Sequence, residues 1–192
     1  MKTLLYVPFV SQYSTPRDDD GLSRACGMAC VKKVIDFYQG ESQSLSDYMK
    51  EGKMIKGAFI PGIGWNHKGL VAILRNHEVG AYSEEFRSVF NDINSGETLP
   101  SIYELDHVER GIRKISREVR EGRPVIVSGI KQWKEKDKYH DMIILGVEKK
   151  RNNILGFYYH DPDDEDIDGR NKFVNIETFR NNWRKFAIFI SE

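Results

Sequence analysis

At Gly122 the apolar pattern of this chain changes period, and that change constrains the fold more than any other feature. Before it, Leu105, Val108, Ile112, Ile115 and Val119 make a helical stripe, predicted to run from Ser101 to Glu121 with Ser101 and Glu104 at capping-box spacing. After it come short β-branched and aromatic runs, Pro124 to Ile130, Met142 to Val147, Ile154 to Tyr159 and Phe186 to Ile190, with a tight turn predicted at Arg151-Asn152-Asn153. Further helices are predicted over Ala25 to Tyr38, Ser46 to Lys53, His67 to Asn76 and Ser83 to Phe90. In the first of these Lys32, Lys33 and Asp36 fall between the apolar positions, and Gly40 is the natural stop. Tyr6 to Gln12 reads as a short extended segment. Helices gathered early and strands gathered late signify α+β rather than alternating βαβ.

The 192 residues suit one domain with a core of its own, a helical lobe over about 21–122 and a sheet lobe over about 123–192 joined by the N-terminal segment. No linker or repeat divides it. Lysine plus arginine and aspartate plus glutamate each number 29, a balance that argues against nucleic acid as a bulk electrostatic partner. No apolar run spans a bilayer and no signal-like segment follows Met1, so a cytoplasmic location is expected. Composition leaves the oligomeric state open.

Both cysteines lie in S-R-A-C-G-M-A-C, as Cys26 and Cys30. A disulfide within one helix has poor geometry, and no zinc-ligand spacing occurs elsewhere. Both could be small buried hydrophobes. Position separates them, however, because Cys26 falls in the first turn, where the helix dipole and free N–H groups favour a thiolate. Gly27 beside it permits close approach of backbone or substrate. A nucleophile also needs a base, a group to orient the base and an oxyanion donor. His140 opens a predicted strand and Asp161 closes the next, so a hairpin about Arg151–Asn153 makes them cross-strand neighbours. His160 precedes Asp161 and should face the other way. Gln12 carries an amide that could serve an oxyanion.

The ordered pieces V-P-F-V-S-Q, A-C-G-M-A, G-R-P-V-I-V, Y-H-D-M-I-I-L-G-V and Y-Y-H-D-P resemble the papain superfamily, and more narrowly the bacteriocin-processing, double-glycine-leader type of cysteine peptidase and its stand-alone relatives. The resemblance spans nearly the whole chain and includes F-V-N-I-E-T-F-R-N-N-W near the end. It implies a papain-like α+β fold, with a helical N-terminal lobe packed on a C-terminal antiparallel sheet. It also implies hydrolysis of a peptide or isopeptide bond by Cys26 as nucleophile, His140 as base, Asp161 as orienting carboxylate and Gln12 as oxyanion donor, with no cofactor and a peptide or protein substrate. An acyltransferase using the same acyl-enzyme, or an inactive papain-like binding module, remains an alternative.

Departures from the resemblance are Met28, where many relatives carry proline, and a long loop with Asp18-Asp19-Asp20, read as a solvated acidic turn. Because the extended segment begins almost at Met1, no room for an inhibitory propeptide is expected. G-W-N-H-K-G, Gly64 to Gly69, offers Trp65 and His67 as substrate contacts, or Trp65 as core at a helix entry. His77 and His107 read as surface residues. D-E-D-I-D-G, Asp164 to Gly169, matches the opening of a calcium loop, but Asn175 stands where the bidentate glutamate belongs, so an acidic surface loop is expected and no metal.

Overall fold

A computed structural model describes residues 1–14, 24–91, 96–101, 103–164 and 169–191. The elements, in chain order, are β1 (Lys2–Leu4), α1 (Cys26–Gln39), α2 (Leu45–Met54), β2 (Phe59–Ile60), β3 (Gly64–Trp65), α3 (His67–Asn76), β4 (Ala81–Glu85), β5 (Val89–Asn91), β6 (Thr98–Pro100), α4 (Glu104–Arg120), β7 (Val125–Lys131), β8 (Glu135–Lys150), β9 (Asn153–His160), β10 (Lys172–Asn175), α5 (Ile176–Asn182) and β11 (Trp183–Ile190). Among the described residues the principal sheet is antiparallel, in the order β10-β9-β8-β7-β11-β4, with β1 also paired to β8. Strands β2 and β3 form one small hairpin and β5 and β6 another. This is the expected α+β architecture. No described helix is long and apolar enough to cross a membrane.

Strand alternation places a core on each face of the sheet. Ile126, Ile143, Leu145, Ile188 and Ile190 pack with α1, α2 and α3, while Val125, Val127, Met142, Ile144, Ala187 and Phe189 pack with α4 and α5. The turn predicted at Arg151 is a two-residue hairpin: Lys150 pairs with Asn153, and Arg151 takes the positive φ of 56° that such turns require.

The structure corrects several expectations. Residues 83–90 are not helical; β4 lies antiparallel to β11, pairing Ala81 with Ile190 and Ser83 with Ile188, and Tyr82 packs on Phe189. Backbone pairing with a sheet edge outweighs the weak helical pattern of that stretch, and it brings part of the region assigned to the helical lobe into the sheet. The capping box at Ser101 does not form. Helix α4 starts at Glu104, whose carboxylate accepts from the Ser88 N–H, and Ser101 Oγ accepts from the Tyr103 N–H. Leu105, counted in the apolar stripe, is exposed. Lys33 and Asp36, expected on the polar side of α1, are buried. Residues 6–12 form no strand; Leu5 N–H still donates to Leu145 O, and Val7 and Val10 tuck into the core.

Candidate active site

Helix α1 begins at Cys26. Ala25 is its fully buried N-cap residue, the Ala29 N–H closes the first turn on Ala25 O, and no side chain caps the end. The first N–H groups of the helix, including that of Cys26, therefore lack an intrahelical partner. Cys26 is half-buried and opens on a cleft of about 960 Å³, whereas Cys30, one turn deeper, is fully buried with its thiol directed at the Asp141 carbonyl, 3.5 Å away. Burial pushes the Cys30 thiol well up, despite the opposing pull of Lys33, which marks it as core.

His140 reaches the same cleft from β8. The ladder pairs Ile143 with His160, so Asp161, one residue further, is the diagonal neighbour of His140. His140 Nε2 lies 2.7 Å from Asp161 Oδ1. Asp161 takes only one ring nitrogen, and Cys26 is the neighbour that does most to favour a charge on the imidazole. Burial opposes a charge on His140, but the neighbouring Cys26 and Asp161 side chains together outweigh it and raise its pKa to about 10. Burial likewise raises Asp161, yet the bond and charge of His140 and the Asp163 N–H at 3.0 Å leave its pKa below the ordinary carboxylate value. Cys26 at the start of α1, His140 on β8 and Asp161 just beyond β9 thus come together from segments distant in sequence.

His160 takes no part. Its Nε2 donates to Val7 O at 3.0 Å and its Nδ1 accepts from the Asn171 N–H at 3.1 Å, which assigns both nitrogens to structure. Burial, aided by Lys33 and Arg170, lowers its pKa to about 4, so the ring is neutral.

Gln12 is buried, its carboxamide Nε2 donates to Asp163 Oδ1 at 2.6 Å, and its Oε1 has no hydrogen-bond partner among the described residues. Asp163 lines the cleft; it also accepts from Tyr13 O–H at 2.8 Å and pairs with Lys131 at 2.8 Å. Sequence reasoning passed over Asp163. Its only signal was its place two residues beyond Asp161 in Y-Y-H-D-P-D.

Trp65 and His67 both line the cleft. Trp65 also belongs to the core: a Cβ on Gly52 would lie 2.4 Å from its ring, and it tilts against Phe59. His67 stacks on Phe186 with ring centroids 3.8 Å apart and lies 3.6 Å from Asp141 Oδ1. At Gly27 the space is filled by the protein itself, because a Cβ there would meet Asp141 Oδ2 at 2.8 Å and Leu70 Cδ1 at 2.9 Å. Close approach at Gly27 is thus made by β8 and α3 rather than by open substrate space. His77 bridges to Glu51 at 2.7 Å instead of facing solvent freely. The acidic turn 18–20 and residues 165–168 of the calcium-like stretch lie outside the described residues; Asp164 pairs with Lys172 at 2.6 Å.

Residues 4–188 match the Peptidase_C39 like family. No curated protein matches the sequence. Among solved structures, a C39-like peptidase from Bacillus anthracis is 16% identical, the likeness covering 100% of this chain and 98% of that one at a TM-score of 0.64. A double glycine motif protease from an AMS/PCAT transporter, in complex with the leader peptide, is 13% identical over 99% of this chain and 95% of that one, TM-score 0.57. The peptidase domain of Streptococcus ComA, a bi-functional ABC transporter involved in quorum sensing, is 20% identical over 98% and 97%, TM-score 0.51. At such identities the likeness is one of fold.

Proposed function

The chain belongs to the Peptidase_C39 like family and is a cysteine peptidase, a hydrolase of papain-like fold, and on that premise we propose that Cys26, His140 and Asp161 are its catalytic triad. The observation that carries the reading is the grouping itself, with Asp161 Oδ1 2.7 Å from His140 Nε2, and Cys26, at the uncapped tip of α1, sharing the cleft with His140 and acting on its charge.

In this reading the Cys26 thiolate attacks the scissile carbonyl, and His140, which took the thiol proton, delivers it to the leaving amine. Asp161 fixes the ring by holding Nε2 and stabilises the imidazolium. The tetrahedral oxyanion is met by the Cys26 N–H and by the amide of Gln12, whose carboxamide is fixed by Asp163. Water, deprotonated by His140, then releases the acyl group. The substrate is a peptide or protein segment lying in the cleft, as the leader peptide is bound by the transporter protease. A nucleophile that must remain a free thiol suits a reducing, cytoplasmic setting.

The test is alkylation of Cys26 by iodoacetamide across pH, in wild type and His140→Ala, beside cleavage of a peptide library by wild type and Cys26→Ala. Reaction well below the ordinary thiol range of about 8.5 is expected in wild type and not in the variant. Cleavage is expected only with Cys26 present. Identical alkylation profiles in both proteins would refute the triad. Cleavage replaced by transfer to an added amine would identify an acyltransferase, and a reactive thiol without turnover would identify a binding module.

A further inference from the structure

The face of the sheet that packs on α1 and α3 continues into the cleft, and its chemistry changes there. Across β8, β7 and β11 the register aligns Ile143, Ile126 and Ile188, an apolar row inside the core. Two residues along each strand the same register aligns Asp141, Ser128 and Phe186. Where the core pattern supplies isoleucine, the chain supplies a carboxylate and a hydroxyl, and both line the cleft with Cys26. Asp141 is 8% exposed and Ser128 2%, so neither is an ordinary surface polar group.

A carboxylate this buried is costly without a partner. Asp141 Oδ1 lies 3.6 Å from His67 Nε2, too far for a hydrogen bond and an ion pair only when that ring is protonated. The Asp141 carboxylate lies against the start of α1, its Oδ2 2.8 Å from where a Cβ on Gly27 would stand, while the N-cap residue Ala25 makes no side-chain cap. Arg24 lines the cleft as well, while the cleft's other lysine and arginine side chains have partners of their own. Lys131 is paired with Asp163, Lys138 with Glu135, and Arg184 lies over the Tyr139 ring, its guanidinium carbon 3.8 Å from the centroid. The Asp141 carboxylate thus lines the cleft together with Cys26 and the His67 ring stacked on Phe186, and no lysine or arginine among the described residues is paired with it.

We propose that Asp141, with Ser128 and His67, is a cation-binding subsite beside Cys26 that selects peptides carrying an ammonium or guanidinium group near the scissile bond. The inference rests on Cys26 as nucleophile. Carboxylate and hydroxyl accept from the cation, and the aromatic walls exclude water and favour positive charge. The cation is a lysine or arginine side chain, or a free α-amine.

The test uses methanethiosulfonates bearing an ammonium, a hydroxyl or a sulfonate group, with the adduct read on the Cys26 peptide. Each rate is divided by that of the same reagent with N-acetylcysteine. Wild type should prefer the ammonium reagent to the hydroxyl reagent by about tenfold, the effect of one close, poorly screened charge. Asp141→Asn should bring the ratio near one, Ser128→Ala should reduce it partly, and Asp47→Asn, an exposed acid on α2, should not move it. No preference in wild type, a preference for the sulfonate reagent, or a preference that survives Asp141→Asn overturns the subsite. The ratio does not depend on thiol activation; if Cys26 is not the nucleophile, the neutral reagent's rate is ordinary and insensitive to His140→Ala, so the two failures are distinct. Library peptides with lysine or norleucine, each with free and acetylated N-termini, then distinguish a side chain from an α-amine.

Discussion

Replacing Lys33 with methionine should make the protein more stable, an unusual outcome for a change in a fully buried side chain. Lys33 lies on the face of α1 that carries Cys26 and Cys30, and it is 0% exposed. Its Nζ has no hydrogen-bond partner and lies 4.9 Å from the centre of the Phe9 ring. Burial lowers its pKa from 10.5 to about 8, although Cys30, Asp161 and Cys26 pull the other way. At about 1.4 kcal/mol per factor of ten in protonation, holding the ammonium in the folded state costs roughly 3 kcal/mol. Below pH 8 both folded and unfolded chains are protonated and the whole cost is present. Between pH 8 and 10.5 only the unfolded chain keeps the proton, so wild-type stability rises with pH and the cost fades. Methionine fills a similar volume without the charge. Urea unfolding at pH 7 should therefore place Lys33→Met above wild type by about 2–3 kcal/mol, a midpoint shift of about 1–2 M. The gap should narrow by pH 10. A variant no more stable than wild type at pH 7, or a gap indifferent to pH, would falsify the reasoning.

The remaining expectations concern neighbouring groups. Gln12→Ala should lower kcat about 10²-fold with little change in KM, and Asp163→Asn should reproduce part of that loss, since its carboxylate holds the Gln12 amide; steady-state kinetics checks both, and unchanged kcat removes Gln12 from the mechanism. His160, neutral in the fold with a pKa of about 4 against 6.5 unfolded, should cost roughly 3 kcal/mol of stability as pH falls from 6.5 to 4, because the unfolded chain protonates first. Unfolding curves at pH 4.5 and 7 should show that slope diminished in His160→Gln, which keeps a donor for Val7 O. Gly52→Ala should destabilise by about 1–3 kcal/mol in a thermal melt, since its Cβ would meet Trp65 at 2.4 Å and Met28 Cε at 2.9 Å.

Much of the catalytic proposal was legible in order along the chain. The helix start at Cys26 and the turn at Arg151–Asn152 follow from local pattern and from the conformations that turns demand, and the hairpin places His140 near Asp161 by register alone. The assignment of His160 to structure followed equally from strand alternation, which puts successive side chains on opposite faces. Local pattern misled where a distant partner decided. Residues 81–85 became a strand because β11 offered them an edge, and Glu104 lost its capping role to the Ser88 N–H.

Periodicity, turn chemistry and the order of motifs are properties of neighbouring residues, so the α+β class, the place of Cys26 at a helix start and the pairing of His140 with Asp161 could all be read along the chain. What the tertiary structure alone decided is which polar groups are shut away from water, and against what. Lys33 became an unpartnered buried cation, Asp163 the anchor of Gln12, and Asp141 a carboxylate facing the cleft. Burial depends on segments brought together from across the chain, and no local pattern records which of them will meet.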